Sequence, residues 1–148
     1  MTAGNTTLTT EMLAAWSSRL AAILASPGDT ATPRKLGMAL RQIVPFDASS
    51  SFALRKNSAP LTFFDDLPSG VEPVRYAEKP YLLDPVYISF LKDELPVCCC
   101  TLEEICPDGF RESDYFHRYW LPVDIVSEFS FNIPCDSNTV LHLSMLRR

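Results

Sequence analysis

Clustered positive charge is missing from this chain. It has 13 Lys and Arg against 18 Asp and Glu, a formal net charge of -5 and a sequence pI near 4.9. Phosphate contacts need grouped cations, and the one basic end is Arg147-Arg148, so a nucleic-acid-binding role for this segment is excluded. Glycine is scarce as well, at 5 residues, and no glycine-rich loop exists to cradle a phosphate. No apolar run approaches the roughly 20 residues of a membrane span. Met1-Thr2-Ala3-Gly4-Asn5 has neither the charged nor the apolar region of a signal peptide, and the expected location is the cytoplasm. The 2 histidines, His117 and His142, form no zinc-binding unit with the cysteines. No nucleophile stands with an adjacent base. The sequence therefore points to no enzyme, no metal site and no cofactor.

At 148 residues and 47% hydrophobic, the chain matches one globular domain with a core of its own. Of the 5 cysteines, three are adjacent, Cys98, Cys99 and Cys100. In an extended segment Cys98 and Cys100 share one face and Cys99 takes the other, the alternation of a strand buried on both sides. With Cys106 and Cys135 they are read as buried, reduced thiols acting as small hydrophobes, in preference to redox or metal chemistry.

Thr9 or Thr10 can cap a first helix, in which Met12, Leu13, Trp16, Leu20, Ile23 and Leu24 recur at helical spacing until Ser26-Pro27-Gly28-Asp29 stops it. Thr32-Pro33 predicts a second, with Leu36, Leu40, Ile43 and Val44 on one side and Pro45 at its end. Ser49 to Lys56 and Leu61 to Asp66 then read as a hairpin. Ser50, Phe52 and Leu54 share one face of its first strand, and Leu61 with Phe63 or Phe64 anchors its second. Asp65-Asp66 is read as the start of a solvated loop rather than an acid/base or metal device.

From Val71 to Glu94, Pro73, Pro80 and Pro85 forbid one continuous helix and predict short pieces draped over the sheet. Within them, Tyr81-Leu82-Leu83-Asp84-Pro85-Val86-Tyr87 reads as a capped helix start: Asp84 caps, and Pro85 at the first helical position loses no hydrogen bond. Tyr76, Tyr81 and Tyr87 bring rings with one hydroxyl each, a lining suited to a small-molecule pocket or to a half-buried surface. Pro96 to Thr101 is predicted as a strand and Thr101 to Ile105 as a capped turn. Gly109 to Trp120 is predicted as a helix with Phe116 and Trp120 on one stripe and Tyr115 and Tyr119 on the next, His117 being exposed and Pro122 ending it. Finally Ile125, Phe129, Phe131 and Ile133 alternate with Val126, Glu128, Ser130 and Asn132. Leu141, Leu143 and Met145 alternate with His142 and Ser144 across the turn from Pro134 to Asn138. His142, opposite the leucines, is read as solvent-exposed or covering a helix. The order of elements predicts an α+β fold, an antiparallel sheet with helices on its faces.

The run from Tyr81 to Tyr87, the stretch Ile105-Cys106-Pro107-Asp108-Gly109-Phe110-Arg111-Glu112-Ser113-Asp114-Tyr115-Phe116-His117-Arg118-Tyr119 and the hairpin from Asp124 to Ser144 together resemble the N-terminal sensor region of LuxR-type helix-turn-helix transcriptional regulators. The likeness covers roughly the C-terminal half of the chain; a glycine often found before the final hairpin is replaced by Pro122-Val123. The resemblance implies a GAF/PAS-like α+β fold, an antiparallel sheet of about five to six strands with helices on both faces. It implies that residues 1–148 form a single ligand-sensing domain, residues 1–8 being disordered. It further implies a homodimer, a small-molecule effector, and DNA contact only through a helix-turn-helix domain downstream of Arg148. The candidate ligand contacts are Phe52, Phe63, Tyr76, Tyr81, Asp84, Tyr87, Phe90 and Tyr119. Asp84 is either a helix cap alone or the polar contact that reads the ligand. The competing readings are a dimerisation or interaction module with a filled core and, behind it, a small-molecule enzyme.

Overall fold

The computed structural model describes residues 8–26, 28–67, 76 and 78–148. The expectations placed on residues 1–7, on Pro27, on Pro68 to Gly70 and on Pro73 lie outside the described residues. Contacts divide the chain into two compact units, Met1–Pro45 and Phe46–Arg148.

In the first unit Thr9 caps α1 (Thr10–Leu24), its side chain accepting from Met12 N. The second helix is shorter than its sequence pattern. α2 spans Thr32–Leu40, and its N-cap is Ala31, with no side-chain cap bond. The carboxylate that orders this turn comes from Asp29, whose Oδ1 accepts from Ala31 N at 2.8 Å while Oδ2 meets Lys35 Nζ at 2.5 Å. The hydrogen bond from Lys35, more than any other cause, holds that carboxyl below its ordinary pKa. Thr32, expected as the cap, is the first helical residue, and Ile43 and Val44 lie beyond the helix end.

The second unit is α+β, built on a five-stranded antiparallel sheet ordered β2-β1-β5-β4-β3. The strands are β1 (Ala48–Arg55), β2 (Leu61–Asp65), β3 (Cys98–Thr101), β4 (Ser127–Asp136) and β5 (Thr139–Arg147). Asp66, read as solvated loop, closes the β1–β2 end: its carboxylate accepts from Ser49 N and its own amide donates to Ser49 O at 3.1 Å. Between β2 and β3 runs the crossing segment: Tyr76, a 3-10 turn at Pro80–Leu83, and α3 (Pro85–Leu91). After β3 come α4 (Leu102–Ile105), held by a capping box between Thr101 and Glu104, and an aromatic stretch that is not one helix. Gly109, at φ 77, turns into a 3-10 turn at Phe110–Glu112. Ser113 then breaks the chain, its Oγ donating to Phe110 O and accepting from Phe116 N. A π-turn at Phe116–Trp120 and a 3-10 turn at Leu121–Val123 complete the stretch. The serine satisfies one amide and one carbonyl that a straight helix would have paired internally. The two expected stripes survive: Tyr115 meets Tyr119 at 5.2 Å and Phe116 meets Trp120 at 6.4 Å.

The β4 strand is inside out relative to its hydrophobic pattern, and β5 buries both of its faces, Leu143 and Met145 as well as His142 and Ser144. Ser50, Ser144, Ser130 and Cys100 stand in one row across four strands, and Phe52, His142 and Asn132 in the next. All of these side chains are buried, whereas Phe129 and Ile133, on the other face of β4, are exposed. The core lies on the polar face, where Phe52, Leu54, Val140 and Leu146 meet Val86, Tyr87, Phe90, Leu102, Tyr115 and Trp120. His142 is therefore not solvent-exposed: it is buried on the face of the sheet that carries this core. Cysteine burial is corrected too: β3 is an edge strand, and only Cys100 is buried, Cys98, Cys99 and Cys135 being exposed and Cys106 intermediate, all free thiols. On the other edge, Leu61 and Phe63 are exposed rather than anchoring. The β1–β2 register slips between Ser51↔Phe64 and Phe52↔Thr62, leaving Phe63 as the extra residue of a bulge.

The two strand positions give a direct contrast. Leu54→Ala, at a fully buried side chain, is expected to cost about 2–5 kcal/mol in urea unfolding. Phe63→Ala, at a side chain 44% exposed, should cost less than about 1 kcal/mol.

Candidate functional site

Asp84 joins the crossing segment to the rest of the site. It precedes Pro85, which biases it to the extended conformation observed, φ -73 and ψ 122. Its Oδ1 accepts from Val86 N at 2.8 Å and caps α3. Its Oδ2 accepts from the Tyr76 hydroxyl at 2.5 Å. One carboxylate thus starts the helix and ties back the chain eight residues earlier.

Around it the rings are contiguous. Phe52 on the sheet meets Tyr76 at 4.5 Å between centroids, Tyr76 meets Tyr81 at 6.3 Å, Tyr81 meets Tyr87 at 4.8 Å edge-on, and Tyr87 meets Phe90 at 6.1 Å. The Tyr87 hydroxyl donates to Arg55 O at 2.9 Å and pins α3 to the end of β1. The structure therefore brings together Phe52, Tyr76, Tyr81, Asp84, Tyr87 and Phe90. Tyr119 packs on the same core. Phe63 stands apart on its bulge.

Beneath this roof lies a polar set that the sequence pattern hid. His142 Nδ1 is 2.8 Å from Asn132 Oδ1, and Asn132 Nδ2 donates to Pro96 O at 3.2 Å and to Cys100 Sγ at 3.3 Å. The carbonyl of Pro96 accepts only, which fixes the amide orientation and places a proton on His142 Nδ1. His142 Nε2 faces Glu128 Oε1 at 3.2 Å, so a second proton on the ring makes a buried ion pair. Ser50 and Ser144 share a hydrogen bond of 2.8 Å in the neighbouring row. Glu128, Asn132 and His142, with the buried Tyr115 phenol, are the residues that sequence reasoning missed. Their signal is present, since 128, 130, 132 and 142, 144 are in phase on one side of the hairpin, but the alternation leaves open whether that side meets solvent or a helix.

The electrostatics mark one shared interior. Burial, followed by the charge of Glu128, pushes the Asp84 carboxyl up to about 6, against the opposing hydrogen bonds of Tyr76 and Val86 N and the influence of His142. Burial, then the negative charge of Asp84, raises the Tyr76 and Tyr115 phenols well above their usual range, so both stay protonated donors. Chemically this is a set of donors and acceptors under aromatic rings, suited to holding a molecule by shape and hydrogen bonds.

A raised carboxyl pKa has a defined consequence. The proton of Asp84 is held more tightly in the folded chain, so its contribution to stability is complete below the unfolded pKa of 3.8 and is lost as pH rises through about 6. Asp84→Asn removes this dependence. The stability difference between variant and wild type should shift in favour of the variant by about 3 kcal/mol at most between pH 4 and pH 7, read by urea unfolding at each pH. A difference that stays flat, or moves the other way, places the carboxylate in a more hydrated site.

No protein-family model and no curated protein matches the chain. Among solved structures, it is similar to the LBD domain of VqsR from Pseudomonas aeruginosa, with a TM-score of 0.75 and 24% identity over 90% of this chain and 80% of that one. The likeness shows that the two share a fold.

Proposed function

We propose that the chain is the small-molecule-sensing and dimerising domain of a LuxR-type transcriptional regulator. The observation that carries this reading is the polar sheet face: Ser50, Ser130, Asn132, His142 and Ser144 are buried beneath Tyr76, Asp84 and Tyr115, while larger apolar side chains on the opposite face of β4 meet solvent. Burying polar groups costs free energy that a plain core avoids by using leucine or valine, and a few polar groups converging among aromatic rings are the lining that a small-molecule site uses. The fold shared with a domain named for ligand binding supports the same reading. So does the likeness of residues 81–87, 105–119 and 124–144 to the LuxR-type sensor pattern.

In this proposal residues 1–148 act as one GAF-like sensing domain in the cytoplasm, and DNA is contacted only by a helix-turn-helix domain downstream. The effector sits between the sheet and residues 76–91 and donates a hydrogen bond to Asp84. Its preference for one arrangement of that segment biases the attached DNA-binding domains. The first helix supports dimerisation: no residue of α1 is buried, and Leu13 and Leu24 are exposed large hydrophobics. Dimerisation through α1 makes the chain a dimer by light scattering that Leu13→Glu with Leu24→Glu converts to a monomer.

One observation favours the second reading, an interaction module with a filled core: Asp84, Asn132 and His142 all find partners within the chain. Thermal-shift screening of metabolite classes separates the two. A sensor gains about 3 kcal/mol from a ligand at a hundred times its Kd, and Asp84→Asn, which still caps α3, should lose that gain. If no class of compound raises the melting temperature, the filled-core module stands.

A further inference from the structure

A concavity of about 320 Å3 opens among Leu102, Cys106, Pro107, Phe110, Phe116, Trp120 and Val126, rimmed by Glu103, Asp108, Arg111 and Glu112. None of Tyr76, Asp84, Glu128 and His142 lines it, and its chemistry differs from theirs. We infer that this cleft binds a small organic cation, an alkylammonium or quaternary ammonium ion, against the rings of Phe110 and Phe116 within the carboxylates of Glu103, Asp108 and Glu112.

The rings come first. Phe116 and Trp120 lie 27° from parallel with centroids 6.4 Å apart. Phe110 crosses both, at 75° and 88°, with centroids 5.6 Å from each. Three rings therefore meet at a corner, and ring faces attract cations through their quadrupoles. The chain already uses this attraction, because the Arg111 guanidinium stands 5.9 Å from the Phe116 centroid.

The carboxylates are placed by local structure. Glu104 is committed to the capping box, accepting from Thr101 N at 2.7 Å, and the neighbouring Glu103 lines the cleft. Gly109, at φ 77, reverses the chain so that Asp108 and Glu112 reach the same rim; Glu112 Oε2 lies 3.8 Å from the position a Cβ on Gly109 would take. Three carboxylates thus face one guanidinium. That balance repels anions and complements a monovalent cation. The volume is at the lower end of ligand clefts, which suits a compact ion rather than an extended molecule. Burial, then the charge of Glu103, pushes the Cys106 thiol up to about 12. The one nucleophile on the lining stays protonated, and the cleft binds rather than reacts.

The test uses the full chain carrying Trp16→Phe. Tryptophan occurs at 2 positions, so this leaves Trp120 as the sole indole, and Trp16 Nε1 makes no hydrogen bond that the change would break. Choline is titrated at constant ionic strength against its neutral carbon isostere, 3,3-dimethyl-1-butanol. The expected result is a saturable change in Trp120 emission at millimolar choline, with the isostere roughly tenfold weaker. Glu103→Gln with Asp108→Asn and Glu112→Gln should weaken choline roughly tenfold. The single Asp108→Asn change, at an exposed side chain, should weaken it in the same direction should the triple variant fail to fold. Arg111→Ala should tighten choline a few-fold, because it vacates the Phe116 face and removes the competing charge. The inference is overturned by equal affinity for the neutral isostere, by no saturable response in wild type and Arg111→Ala alike, or by weaker binding in Arg111→Ala. The outcome does not bear on the sensing proposal, whose site is elsewhere.

Discussion

The two oxygens of Asp84 hold different parts of the chain, and the geometry of the site follows from that division. One oxygen caps α3 through Val86 N, and the other takes the Tyr76 hydroxyl. Pro85 makes the division possible: it restricts Asp84 to extended backbone and supplies the first helical residue without wasting an amide. The α3 helix is only seven residues long and has little intrinsic stability. Its persistence depends on the cap, on the Tyr87 hydroxyl bonded to Arg55 O and on the buried Val86 and Phe90.

The same carboxylate sits over a sheet face whose polarity runs against expectation. In a low dielectric an unpartnered polar group is costly, and here nearly every member of the buried set has a partner: Asn132 bridges His142, Cys100 and Pro96 O, and Ser50 pairs with Ser144. Such a network specifies geometry more strongly than apolar packing, because each bond has a direction. Displacing the Tyr76 hydroxyl from Asp84 is a different event from breaking the Asn132–His142 bond, because the first bond lies within the crossing segment and the second within the sheet.

Most of the local structure was legible in the sequence because short-range signals determined it. Thr9, the Asp84-Pro85 pair and the Thr101 capping box state helix starts in two or three residues, and the β4–β5 hairpin is explicit in its alternation. The candidate ring set was legible for the same reason, as Tyr76, Tyr81, Tyr87 and Phe90 lie close together in the chain. What could not be read was which face of an alternating strand points inward. Ile133 and Phe129 against Asn132 and Ser130 satisfies the period of two either way, and the period does not reveal that β4 buries its polar side. Phe63 failed for a related reason: a one-residue bulge shifts phase without leaving a mark in composition. The break at Ser113 was hidden by helix-compatible residues on both sides, and the edge position of β3, which exposes Cys98 and Cys99, is a property of sheet order rather than of the strand.

These gaps share a physical cause. Periodicity reports that two faces differ, and the sign of the difference is set by what packs on each face, which depends on residues far away in sequence. For this chain the polar floor is tolerable because its members pair with one another and with Pro96 O, Cys100 and Glu128, which come from different strands and from the segment before β3. Glu128 shows the coupling most directly. Its charge reaches Asp84 across the interior and helps raise that carboxyl to about 6, although the two residues themselves are more than forty positions apart in the chain. A floor of leucines would leave Asp84 as a cap with a tyrosine partner. With Glu128 and His142 beneath it, the carboxylate's protonation and its partners are set jointly by the crossing segment and the sheet, so that a change in either is felt by the other.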